Sequence, residues 1–224
     1  DVKAKKDVGL LSKKDVLQAQ SAVTDGEKAV REAKTKMDYA HMSFNYLLGY
    51  NVMQEVTFTD QLAAQQMEPV DVNDAIGKAM ANRNEIKGVD LAKDIYGILL
   101  ENVNAYPKSS STYLTARLNL LTAEKAAKDA RSQIEIDIRN KAADAADKKA
   151  ALDAAKALQS YAKEGERLIS LTNEEGLSTV EELLSMQVTL YTANLNVAKA
   201  TAEYNLALRS FQDAQGIGTM RIPL

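Results

Sequence analysis

Few residues in this chain have the types and spacing that chemistry needs. His41 is the single histidine and there is no cysteine. A Ser-His-Asp constellation, a histidine cluster and a thiolate metal site are therefore all out of reach within the chain. His41 sits in a helical pattern and reads as a partly exposed helix histidine. The four carboxylates Glu174, Glu175, Glu181 and Glu182 crowd one short stretch. They could gather a cation, but acidic residues at the start of a helix complement its positive end, and that accounts for them. Ser109, Ser110 and Ser111 form a turn and helix cap, not a glycine-rich phosphate loop. The lysine runs (Lys3, Lys5, Lys6; Lys148, Lys149) read as solvated faces. No catalytic, cofactor-binding or metal site emerges, so the chain is not expected to be an enzyme.

Composition points to architecture instead. The 224 residues are 46% hydrophobic and 26% charged, with 5% aromatic and no Trp. Ala, Leu, Lys, Asp and Glu dominate, as in long helices that pack through small residues. A net charge of −3 with interspersed signs argues against a nucleic-acid partner, which wants a basic stripe. The absence of Cys fits an exported protein. No apolar run reaches the roughly 18 residues of a transmembrane helix. The opening DVKAKKDVG lacks a targeting pattern and reads as a mid-protein start.

The elements that position these residues are long. Residues 111–174 hold no Pro, and no Gly before Gly165. A helix of that size would measure on the order of 90 Å. Before it come a charged lead-in, a Gly9-Leu10-Leu11 turn, and a helix from Ser12, its cap, to Leu48, closed by Gly49. Residues 50–70 read as a connector with one strand-like patch, Glu55 to Phe58, and Pro69. A helix over 71–104 follows, capped by Asp71 or Asn73, and then a turn over 105–110 that contains Pro107. After the long helix come a tip turn at 175–178, a helix over 179–215 ended by Gly216, and an extended tail, 217–224.

The helix over 12–48 bears two seams. Val16, Val23, Val30, Met37 and Phe44 lie seven apart, and Ala22, Gly26, Ala29, Ala33, Ala40 and Ser43 follow a 4-3 rhythm on another face. Two seams call for neighbours on two sides. A shift of 167 residues then lays the last helix on the first without a gap. Gly9 falls on Gly176, Leu10 on Leu177, Val30 on Val197, Ala33 on Ala200, Ala40 on Ala207, Phe44 on Phe211 and Gly49 on Gly216. A shared heptad alone would be a weak match, but agreement at both glycine ends across about 40 residues is much stronger. The chain thus divides into the back half of one repeat (1–49), the connector, one whole repeat (71–216) and the tail. It is expected to be a fragment whose absent front half holds a short helix and a long one.

These residues resemble the TolC family of outer-membrane efflux proteins over nearly the whole chain. Ala75-Ile76 and Ala81-Asn82-Arg83-Asn84-Glu85-Ile86 match that family's A-N-R-x-E-(I/L) helix. Its tip turns resemble Val8 to Ser12 running into Asp15 to Gln20, and Gly176 to Thr179 running into Glu182 to Leu184. Each repeat closes similarly, at Asn45-Tyr46-Leu47-Leu48-Gly49 and at Phe211 to Gly216. The order short helix, long helix, tip turn, medium helix is also the family's. One departure is clear. The family places two membrane-spanning strands between the short and long helices, and each needs about 9–11 residues. Only Ala105 to Thr112 is available here. The resemblance is therefore to a barrel-less relative.

The resemblance implies an all-α fold of long antiparallel coiled-coil hairpins, a TolC-like α-barrel protomer fragment without the β-barrel strands. It implies a passive conduit in the cell envelope, periplasmic or outer-membrane associated, assembled as a homo-oligomer, a trimer when full length. Its partners would be a periplasmic adaptor (membrane fusion) protein and an inner-membrane transporter. The adaptor would meet the tips, placing Gly9, Leu10, Ser12, Asp15, Gly176, Leu177, Thr179 and Glu182 at the contact. In the family, acidic residues near the tip narrow the tunnel and meet cations, a role that would fall on Asp15 and Glu182. The rival reading is a non-conducting helical rod that scaffolds the envelope. No cofactor is implied.

Overall fold

The computed structural model describes residues 13–66 and 71–216. Among these residues are five helices: α1 (Lys13–Leu48), α2 (Val72–Asn82), α3 (Asn84–Asn102), α4 (Ser111–Glu174) and α5 (Val180–Ala214). No strand occurs among the described residues. No helix there is long and apolar enough to cross a membrane. The described residues divide into two units, 13–62 with 156–196, and 63–66 with 71–155 and 197–216. α4 and α5 each contribute to both.

In the first unit, α1 runs for 36 residues. Hydroxyls of Thr24, Thr35 and Ser43 donate back to the carbonyls four residues earlier and are thereby satisfied within the helix. It ends in a Schellman-type cap. Gly49 adopts φ +74°, its N–H donates to Tyr46 O at 3.1 Å, and Tyr50 N–H donates to Asn45 O at 2.9 Å. The buried Asn45 folds the connector back, its Nδ2 donating to Val52 O (3.1 Å) and Gln54 O (2.8 Å). Phe58 then packs edge-on against Phe44, centroids 5.3 Å apart, and lies 5.6 Å from His41. His41 is a half-buried helix residue, as its pattern suggests. The patch Glu55 to Phe58 is not a strand: its backbone finds no ladder partner, and Phe58 is held by ring packing instead.

The second unit carries the core. Ala75 and Ala79 of α2, Ile86 of α3, Ile134, Ile138 and Ala142 of α4, and Phe211 and Ala214 of α5 form one buried cluster. Leu152 of α4 with Tyr204 and Leu208 of α5 forms a second, with Ala64 of the connector against it. Asn205 fixes the connector there, its Nδ2 donating to Ala63 O (2.8 Å) and its Oδ1 accepting from Gln65 N–H (3.0 Å). Polar side chains flank the seam between α4 and α5. Lys148 pairs with Glu203 (2.9 Å) and Lys141 donates to Ser210 Oγ (2.8 Å). The falling number on one helix against the rising number on the other makes the pair antiparallel.

The expected single helix over 71–104 is two helices. Asp71 caps the first, its carboxylate accepting from Asn73 N–H at 2.8 Å and Asp74 N–H. At Arg83 the backbone opens to φ −69°, ψ 131°. The two asparagines beside it compete with helical bonding. Arg83 itself reaches Asp137 of α4 (2.8 Å) and Glu85 (2.9 Å). Gly216 closes on the same corner: a Cβ there would meet Asn82 Cβ at 2.8 Å. Residues 103–110 turn the chain into α4, with Ser110 Oγ accepting from Tyr113 N–H at 3.3 Å.

Candidate functional site: the hairpin tip and the open seam

The turn joining α4 to α5 satisfies its own polar groups. Gly176 takes φ +76°, Gly176 N–H donates to Asn173 O (3.1 Å), and Leu177 N–H to Thr172 O (2.8 Å). Asn173 Nδ2 donates to Ser178 O at 2.9 Å and Ser178 Oγ to Ile169 O at 3.2 Å. Thr179 and Glu182 then form a capping box. Glu182 Oε2 accepts from Thr179 N–H (2.7 Å), and Thr179 Oγ1 accepts from Glu182 N–H (3.1 Å). The Thr179 N–H, then its hydroxyl, hold the Glu182 carboxyl below the ordinary carboxylate value. A carboxylate bonded in this way serves as a helix-start device.

Leu177 has no such internal partner. It is 76% exposed at the apex of this turn, a leucine presented by a backbone that is fixed without it. Of the residues placed at the tips by the sequence, Gly176, Leu177, Thr179 and Glu182 come together here. Gly9, Leu10 and Ser12 lie outside the described residues, and only the backbone of Asp15, in α1, is described. Glu174, Glu175 and Glu181 stand near the same turn. Among the described residues, no group of three or more His, Asp or Glu is gathered closely enough to hold a metal ion.

The seams of α1 are the second feature. Val23, Val30 and Met37 are more than half exposed, and the small residues Gly26, Ala29, Ala33 and Ala40 are exposed with them. Tyr191 of α5 leans over this face and closes an apolar groove of about 480 Å³ whose floor includes Gly26, Val30, Ala33 and Met37. Along the first seam only Val16 is buried and Phe44 packs on Phe58, while Val23, Val30 and Met37 between them stay largely open.

A third feature escaped the sequence. The α2–α3 corner opens into a cleft of about 980 Å³ lined by Arg83, Glu85, Lys87, Asp137, Lys141 and Arg209, among others. Its charges largely cancel. Arg83 is held between two carboxylates, and its hydrogen bond is the chief reason that Glu85 lies below the usual carboxylate range. Arg209 Nε lies 3.0 Å from Asp213 Oδ1, yet that oxygen accepts no hydrogen bond, so the pair is one of charge without alignment. The break at Arg83 creates the cleft, and no Gly or Pro announces that break.

A scan against protein-family models finds no matching family, and a search of curated proteins finds no match.

Proposed function

We propose that this chain is a TolC-like component of an envelope export or efflux system. Its helices form part of a tunnel wall built from several copies, and its hairpin tip docks a periplasmic adaptor protein working with an inner-membrane transporter. One observation carries the reading: a 36-residue helix, repeated later in the chain, keeps most of both seams open to solvent, Val16 being the one buried member. Such helices are built for lateral neighbours, as the staves of a wall are. The short link over 103–110 supports a wall element without membrane strands of its own. Leu177, raised on a self-satisfied turn, supports apolar contact at the tip.

The chain lacks cysteine, so Leu177→Cys introduces a unique thiol for cross-linking. Light scattering of the full-length protein should give a closed oligomer, and the thiol should cross-link to a helical-hairpin adaptor. A strict monomer at high concentration would sink the tunnel. The exposed seams also suit a non-conducting helical rod. Adaptor and transporter genes beside its own would favour export over that rod.

A further inference from the structure

The open face of α1 has a covered counterpart in the same molecule, and the repeat identifies it. Met37, Ala40 and Phe44 correspond, 167 residues on, to Tyr204, Ala207 and Phe211, all buried. Antiparallel α4 covers that counterpart, bringing Ile138 to Phe211 and Leu152 to Tyr204. The polar flanks correspond as well, but with altered charge. Glu203, paired with Lys148, becomes Lys36, and Asn194, which accepts from Gln159 at 2.8 Å, becomes Glu27. Ser210, which accepts from Lys141, remains a serine at Ser43.

We propose that α1 docks an antiparallel helix that carries α4's Ile/Ala/Leu stripe but has its flanks recharged. That helix places an acid where Lys148 stands, to meet Lys36, and a cation where Gln159 stands, to meet Glu27. It keeps a donor in the place of Lys141 for Ser43. Apolar stripe meets apolar stripe, and the flanking charges choose the partner. The occupant is thus not α4 of a second copy, whose Lys148 would face Lys36 like to like. The inference rests on the repeat and on charge complementarity, and stands whether or not the chain conducts anything.

The test uses the whole chain and two fluorescent synthetic peptides spanning residues 130–162, one native and one with Lys148→Glu and Gln159→Lys. Anisotropy titration should show the recharged peptide binding about fivefold tighter, one exposed pair having turned from like-charged to opposite and the other from neutral to opposite. Lys36→Glu together with Glu27→Lys in the chain should transfer the preference to the native peptide. Val30→Asp with Met37→Asp should abolish binding while circular dichroism stays helical, because both positions are exposed. Equal affinities, or binding that survives the double aspartate, would overturn the proposal. So would concentration-dependent self-association of the unmodified chain that the same aspartates remove, which would give the seam to a second copy. Absence of export with the charge preference intact would count against the tunnel alone.

Discussion

On α5, Phe211 is 2% exposed and Tyr204 fully buried; on α1, the corresponding Phe44 and Met37 are 37% and 51% exposed. The two helices share a stripe, a glycine stop and a spacing, yet only one has a core. The difference lies in their neighbours: α2, α3 and α4 converge on the end of α5, while over its last three turns α1 meets only a folded-back connector, with Tyr191 of α5 leaning on the groove before it. An apolar stripe therefore specifies a face that can be buried, and the surrounding chain decides whether it is. Burial contributes stability in proportion to the area removed from water, so the two repeats should respond unequally to equal damage.

The largest contrast is expected at the paired phenylalanines. Phe211→Ala leaves a void among Ile134, Ile138, Ala75 and Ala79 and should cost about 3–5 kcal/mol in denaturant unfolding. Phe44→Ala loses mainly its edge contact with Phe58 and should cost about 1 kcal/mol. Equal losses would mean that α1 is covered in solution and would erase the contrast.

The paired stop glycines come next. Gly49 and Gly216 have nearly the same φ, +74° and +72°, so alanine is strained at both. At Gly49 the added methyl enters open space, leaving only the left-handed penalty of about 1–2 kcal/mol. At Gly216 it also meets Asn82 Cβ at 2.8 Å and Arg83 N at 3.3 Å. With overpacking against a helix junction, Gly216→Ala should lose about 2–4 kcal/mol by thermal unfolding. A smaller loss at Gly216 than at Gly49 would show that the α2–α3 corner yields.

The same pairs show what could be read from the chain and what could not. α4 was legible to the residue, since nothing between Ser111 and Glu174 breaks a helix and turn-forming residues bound it. The three turn glycines were legible too, because a left-handed residue after a helix favours glycine. Thr179 and Glu182 carry capping-box spacing, although charge alone left Glu182 open to a cation role. The break at Arg83 was hidden because the asparagines beside it are a weak local signal and the rest of its cause is tertiary: Asp137 lies 54 residues away and draws the guanidinium out. The patch at 55–58 misled through β-favouring residues that never meet a partner strand. No local pattern could tell which copy of the stripe would be covered.

A smaller effect should separate Tyr204 from Met37. The Tyr204 hydroxyl is buried and has no hydrogen-bond partner among the described residues. Removing an unsatisfied buried hydroxyl relieves its desolvation cost, so Tyr204→Phe should gain up to about 1 kcal/mol. Met37→Tyr on the exposed helix should leave the unfolding midpoint unchanged. Destabilisation by Tyr204→Phe would reveal a partner for that hydroxyl and make the α5 seam a polar one.

The smallest effect concerns the flanking charges. Glu203 lies below its ordinary value of 4.5, first because Lys148 donates a hydrogen bond to it and then through the attraction of that ammonium. A carboxylate depressed in the folded state adds stability that is fully present above 4.5 and is lost as the pH falls through its lower native value. The midpoint difference between the unmodified chain and Glu203→Gln should be constant near neutrality and shrink only below that ordinary value. Because the pair is exposed, salt should shrink it too. Lys36, the counterpart on α1, pairs with no carboxylate among the described residues, so Lys36→Gln should give a difference that ignores acid. A Lys36→Gln difference that vanished in acid as well would place a carboxylate on the open seam and end the asymmetry between the two helices.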